Sequence, residues 1–186
     1  MNLLERVKNI LLQPREEWRV IEAEKTSVME MLVRYALPLS AIGPLASIVD
    51  NSLFGARIPI MESFIGAVSV FVLQLNLLFI IAFIIATLAR VFSGQQNFSQ
   101  AFKVAVYTAT PTWVASILNV FPALGPVVVL AALYGIYLLY LGLPVLMKSP
   151  PDKAGSYTAS VVMCAIVVNI ALVFMSGLFV GTQLAE

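Results

Sequence analysis

Histidine is absent from this 186-residue sequence, and cysteine occurs once, as Cys164 inside an apolar run. A Cys/His zinc site, a disulfide within the chain and any mechanism that needs a histidine base are therefore excluded. Charged residues make up only 11% of the chain, and the formal net charge of +1 provides no field that would attract nucleic acid or a strongly charged substrate. No residue pattern indicates a cofactor.

Apolar residues are abundant instead. They make up 60% of the chain, and the mean hydropathy is +0.94, whereas ordinary soluble domains are roughly half apolar and a quarter charged. A water-soluble fold could not bury so much apolar surface. The composition therefore predicts an all-α integral membrane protein.

Five stretches are long enough to cross a membrane, since a spanning helix needs about 20 mainly apolar residues. They are residues 31–49, 64–89, 102–121, 126–147 and 158–180. Arg34, two prolines and a glycine interrupt the first stretch, which is the weakest of the five. The predicted organisation is a cytoplasmic amphipathic N-terminal segment, 1–30, followed by a five-helix transmembrane domain, 31–186.

Helix start signals precede three of these stretches. Each is a polar residue followed three positions later by an acidic residue or a glutamine, which is the spacing of a capping box. The pairs are Ser27 with Glu30, Asn97 with Gln100, and Ser149 with Asp152. Glu30 and Arg34 are also four residues apart, so we expect an ion pair on one helix face.

Basic residues fall almost entirely on one side of the predicted bundle. Of the 11 lysines and arginines, only Arg57 lies on the side opposite to the N-terminus. Because cytoplasmic loops carry an excess of Lys and Arg, we expect a cytoplasmic N-terminus and an external C-terminus. The bacterial cytoplasmic (inner) membrane is the expected location.

The N-terminal segment is amphipathic. Apolar side chains that include Leu3 and Ile10 share one helical face, and Glu5, Arg6 and Lys8 are assigned to the other. Pro14 begins a second short helix, in which Trp18 and Ile21 lie on one side. The pattern predicts two helices in the cytoplasmic interface with Trp18 as the interfacial anchor. Alternatively, the same face packs against the spans.

No ionisable residue lies deep within a span, which argues against a proton relay and against intramembrane hydrolysis. No catalytic or metal-binding residue is identified, and the chain is not expected to be an enzyme. The polar groups that remain in the spans are uncharged, and they either hydrogen-bond neighbouring helices or line a cavity. The candidates are Tyr107, Thr108, Pro111, Thr112, Asn119, Tyr134, Tyr137 and Asn169.

Pro111 lies near the middle of the third predicted span and has no N–H to donate, so we expect a kink there. Thr108, Thr112 and Asn119 share one side of this helix. Their side chains are expected to bond the backbone or a neighbouring helix, so that side should face protein. Small residues, such as Gly135 and the GxxxG motif at 177–181, favour close helix packing.

The order of features resembles the bacterial branch of the Yip family of five-span membrane proteins, named for interaction with Ypt/Rab GTPases. The matching segments are an LLERVKNILL start followed by Pro14 and Trp18, then Thr110-Pro111, Asn119, the stretch 133–144 and the DKA motif at 152–154. The resemblance implies five spans and a cytoplasmic N-terminus. The longer soluble N-terminal region of the eukaryotic members has no counterpart here, so Rab binding is not expected.

The leading hypothesis is therefore a non-enzymatic membrane protein that acts by self-association, by binding other membrane proteins or by organising the membrane in a trafficking-like role. A channel or small-solute transporter, with a polar cavity between the third and fourth spans, is the alternative. An enzyme that acts on lipid ranks third. The partners expected are the lipid bilayer and membrane proteins, with no nucleic acid.

Overall fold

The computed structural model describes residues 2–54 and 58–183, and the side chains of residues 53, 54, 122 and 173–183 are not described. Arg57 and the packing of the GxxxG motif at 177–181 therefore lie outside the described residues. Within the described ranges the chain is helical and contains no strand. The helices are α1 (Leu3–Leu12), α2 (Pro14–Ala23), α3 (Val28–Ser52), α4 (Ile60–Leu88), α5 (Phe98–Ala115), α6 (Gly125–Met147) and α7 (Ala154–Gln183).

Among the residues that the structure describes, four stretches are long and apolar enough to cross a membrane. They are α3, α4, α6 and residues Pro151–Leu172, which include most of α7. Each of these four overlaps a predicted apolar stretch, namely the first, second, fourth and fifth in chain order.

The stretch 102–121 is also helical, as α5 followed by a 3₁₀ turn at Ser116–Val120, but it is not among these four. It lies in the centre of the bundle and packs against α1, α3, α4 and α6. Within α5, more than half of the residues are buried. A helix that is covered by protein does not need the apolar surface that lipid requires.

Helix α3 is irregular where the sequence interrupts it. A π-helical turn occupies Leu32–Ala36, and only Leu37 separates it from Pro38. A proline at this position has no N–H to donate to the carbonyl of Arg34, and a wider turn accommodates the missing bond. Arg34 itself donates to Glu30 at 2.9 Å, as the spacing predicted.

Two of the three predicted helix caps are confirmed. The Ser27 hydroxyl oxygen accepts the N–H of Glu30 at 3.1 Å, and Asn97 Oδ1 accepts the N–H of Gln100 at 3.2 Å. The third prediction is wrong, since Ser149 Oγ is buried with no hydrogen-bond partner among the described residues. Two prolines follow Ser149, and the chain makes a 3₁₀ turn at Pro151–Lys153 before α7 begins.

Several glycines allow close approaches between elements of the fold. A Cβ on Gly135 would lie 2.7 Å from the carbonyl oxygen of Thr108 on α5, and one on Gly43 would lie 3.0 Å from Ser116 Oγ. A Cβ on Gly142 would lie 2.7 Å from the indole ring of Trp18. These small residues therefore pack helices of the same chain against each other.

Candidate functional site

The N-terminal hairpin, defined as α1 and α2, packs on the bundle. Trp18, Ile10 and Ile21 have no exposed surface. The Trp18 ring lies against Gly142 and meets Tyr107 edge-on, with ring centroids 6.1 Å apart. The predicted position of Trp18 as an anchor in the membrane interface is therefore wrong, because α5 and α6 cover the ring that lipid headgroups were expected to contact.

A buried ionic cluster joins the two helices of the hairpin. Arg6 is 5% exposed and donates to Glu17, which is equally buried, and to Glu24. Its guanidinium carbon lies 5.7 Å from the centre of the Tyr107 ring. Burial lowers the pKa of Arg6, but the interactions with Tyr107, Glu24 and Glu17 outweigh burial and raise that pKa above its ordinary value. The guanidinium therefore stays charged and paired.

Lys103, at the start of α5, is 2% exposed and holds the end of α2. Its ammonium donates to the carbonyl oxygen of Ile21 at 2.8 Å and to that of Glu24 at 2.5 Å. Ile21 lies in the last turn of α2 and Glu24 is the residue that follows the helix. Unpaired carbonyl oxygens and the helix dipole favour a cation at this end of a helix. Lys103 thus fixes the hairpin at the end of the bundle where α5 begins.

Further contacts extend the docked surface along α6. Lys148 pairs with Glu22 at 2.5 Å, at the end of α6. Near the middle of α6, the Tyr134 hydroxyl donates to the carbonyl of Leu11, at the tip of the hairpin, at 2.7 Å. The hairpin therefore lies alongside α6 for about half of its length.

Sequence reasoning missed this cluster because it treated Arg6 and Lys103 as markers of topology. It also assigned Arg6 to the polar face of α1, which is wrong. Arg6 follows Leu3 by three residues and precedes Ile10 by four, so the three side chains lie on one face. A charged residue within an apolar face was the available signal of a buried ion pair.

The predicted candidate residues fall on four different surfaces. Tyr107 faces the hairpin, where its ring also meets Tyr35, whose hydroxyl lies 3.0 Å from that of Thr110. Pro111 and Tyr134 line a cleft with Leu11. The remaining candidates are divided between a cavity (Thr108, Thr112 and Asn119) and the outer surface of the bundle (Tyr137 and Asn169).

The cavity has a volume of about 430 Å³ and lies among α4, α5, α6 and α7, so it is not confined to the third and fourth predicted spans. Its described lining is mostly apolar and contains no charged side chain. The polar groups that line it are Gln74, Thr108, Thr112, Ser116 and Asn119.

Two of these hydroxyls are bonded within α5 and its 3₁₀ extension. Thr108 donates to the carbonyl of Val104 at 2.8 Å, and Ser116 donates to that of Trp113 at 2.6 Å. Gln74, near the middle of α4, differs from them. Its Oε1 is buried and has no hydrogen-bond partner within the described part of the chain.

No group of three or more metal-binding side chains occurs within the described ranges. The long apolar helices around a covered central helix define a multi-pass integral membrane protein. The profile of the Yip1 domain matches residues 8–181, so the chain belongs to the Yip1-domain family, which is not a known enzyme family. No curated protein and no solved structure matches the chain.

Proposed function

We propose that this protein is non-enzymatic and acts by associating with other membrane proteins, in the simplest case with a second copy of itself, and thereby organises the membrane around it. The observation that supports this proposal is the position of Asn169. This residue lies near the middle of α7 and is exposed on the outer surface of the bundle, and the described residues provide no hydrogen bond to its side chain.

An exposed amide at the middle of a spanning helix is costly, because hydrocarbon offers it no hydrogen-bond partner. Asn76, which is also exposed on α4, avoids this cost by donating to its own helix, at the carbonyl of Val72, at 2.8 Å. Among the described residues, Asn169 has no such bond. A neighbouring membrane helix with a polar group supplies the missing partner, and two copies of Asn169 do so in a symmetric dimer.

Crosslinking in native membranes, together with energy transfer between labelled copies in vesicles, tests this proposal. Hydrogen bonds between spanning helices contribute about 0.6 kcal/mol on average and up to about 2. Asn169→Leu should therefore weaken association roughly threefold to thirtyfold, and Asn76→Leu should leave it unchanged. A wild-type chain that stays monomeric without a partner, or equal association of both variants, would refute the proposal.

Within this proposal α5 is a fifth span, the N-terminus faces the cytoplasm, and the protein resides in a bacterial inner membrane. In support, Lys103 and Lys148 both contact the hairpin, and Lys153 donates to Ser93 at 2.8 Å, so basic residues gather at one end of the bundle. Positive-inside topology predicts that this end is cytoplasmic.

Labelling of single cysteines with an impermeant reagent on intact cells tests the orientation in a Cys164→Ser background. A cysteine at Ser93 should be labelled only after the cells are opened.

The alternative function is transport of a small solute through the cavity, and the polar side of α5 supports it. Flux into liposomes should then fall on changing Asn119 to leucine, and unchanged flux would count against it. The mostly apolar wall and the absence of charge from the described lining suit an ion or a hydrophilic solute poorly.

A further inference from the structure

The cavity has one polar side and three apolar ones. On α5 and its 3₁₀ extension, Thr108, Thr112, Ser116 and Asn119 follow one another at intervals of four, four and three residues. At 1.5 Å per residue this polar stripe is about 17 Å long. The walls from α4, α6 and α7 are apolar except for Gln74. The cavity is therefore an elongated amphipathic slot.

Charge limits what this slot can hold. The lining that the structure describes has no Asp, Glu, Lys or Arg, so a phosphate or carboxylate head would be buried without a counter-ion. Hydroxyl and amide groups do not carry that penalty when they are hydrogen-bonded. The chemistry of the lining therefore selects an uncharged polar head.

Gln74 provides a polar group in the slot whose hydrogen bonding is incomplete. Its Oε1 has no partner among the described residues, although this side chain lies near the middle of a spanning helix. Rotation about the last side-chain torsion lets the amide present either its acceptor or its donors. A ligand that brings a hydroxyl group can satisfy it.

The slot also has an opening towards the lipid. Ala132 and Ile136, which line it from α6, are exposed although they belong to a cavity wall, and Ala165 on the α7 side is half-buried. Small side chains at 132 and 165 leave a gap through which an acyl chain can extend into the bilayer. A volume of about 430 Å³ accommodates a small head and part of a chain.

We propose that this cavity is a binding site for an uncharged lipid with a hydroxyl-bearing head. The head lies against Gln74 and the polar stripe of α5, and the chain leaves past Ala132. This site is separate from the association surface at Asn169, so either proposal can fail without the other.

The test uses the full chain in phosphatidylcholine vesicles that contain a photoactivatable monoacylglycerol. Irradiation should label α5 or α6 at residues that line the cavity, as identified by mass spectrometry. Unlabelled monoacylglycerol should compete, whereas a monoacyl lipid whose head hydroxyls are methylated and an anionic phosphatidylglycerol should not. Competition by either of the last two would overturn the assignment of the lipid class.

Two variants locate the site. Ala132→Phe narrows the opening and should reduce labelling at least fivefold, while Val129→Phe, on the exposed surface of the same helix, should not. Gln74→Leu should lower labelling roughly threefold to tenfold, as expected for one lost hydrogen bond. Labelling that is unchanged in Ala132→Phe, or confined to residues outside the cavity, would overturn the proposal. Because Ala132 is exposed, its substitution is compatible with folding, which the thermal unfolding curve checks.

Discussion

Replacing Gly142 by alanine tests how the hairpin is held on the bundle. The new Cβ would lie 2.7 Å from Cζ2 and 2.8 Å from Cε2 of Trp18, closer than van der Waals contact allows. The ring has no exposed surface and lies against Tyr107, so it has no free space to enter. Overpacking of this kind costs about 1–3 kcal/mol. We expect most of this cost to fall on docking of the hairpin, because Trp18 belongs to the hairpin and not to a span.

Amide hydrogen exchange measures this effect segment by segment. A tenfold change in an equilibrium corresponds to about 1.4 kcal/mol, so exchange in α2 should become roughly 5- to 150-fold faster. Exchange in α4 should stay as in the wild type. Gly66→Ala is the matched control, since a Cβ there meets no described atom within 4 Å. Alanine is also the better helix former by about 1 kcal/mol.

Two results would refute this reasoning. If exchange in α2 is unchanged by Gly142→Ala, docking of the hairpin does not require the close contact between the Trp18 ring and Gly142. If all helices exchange faster by the same factor, the hairpin does not undock separately from the bundle. Adding Trp18→Phe, which places a smaller ring there, should restore part of the lost protection.

Three further substitutions address other contacts. Arg6→Met leaves Glu17 buried without its partner and should destabilise docking of the hairpin by about 3–5 kcal/mol, measured as faster exchange in α1 and α2. Lys103→Met removes the charged donor at the end of α2 and should cost about 1.5–3 kcal/mol in the same assay, with a smaller effect in α1 than in α2. Tyr157→Phe removes the buried hydroxyl bonded to the Ile85 carbonyl at 2.5 Å and should lower the free energy of unfolding by about 1–3 kcal/mol. Tyr140→Phe, at an exposed position, should change it by less than about 0.5 kcal/mol. A loss at Tyr140 equal to that at Tyr157 would contradict the role of the buried bond.

The apolar helices could be predicted because their cause lies within each segment. Lipid contact requires a long apolar stretch, and α4 and α6 have that stretch regardless of their neighbours. The caps at Ser27 and Asn97 are local in the same sense, since the donor and acceptor are three residues apart. The cap predicted at Ser149 is wrong, because the two prolines that follow it produce a 3₁₀ turn in place of the start of a capped helix.

The division of the candidate residues could not be predicted, because it depends on which elements surround α5. The spacing predicts that Thr108, Thr112 and Asn119 share one side of the helix, and all three line the cavity in the structure. Nothing local indicates that Tyr107, one residue away from Thr108, faces a hairpin that begins more than 90 residues earlier. The position of Trp18 could not be predicted for the same reason. An amphipathic helix has the same sequence pattern whether lipid or protein covers its apolar face.

The depth of the hairpin has a physical consequence for the membrane around it. Tyr134, which bonds the hairpin tip, lies 13 residues before Met147, or about 20 Å along α6. Lys8, Arg15 and Arg19 of the hairpin are exposed. Charged side chains are expensive in hydrocarbon, and long basic ones extend towards headgroups and water. Lipid headgroups and water, or the polar surface of a partner, must therefore reach these side chains.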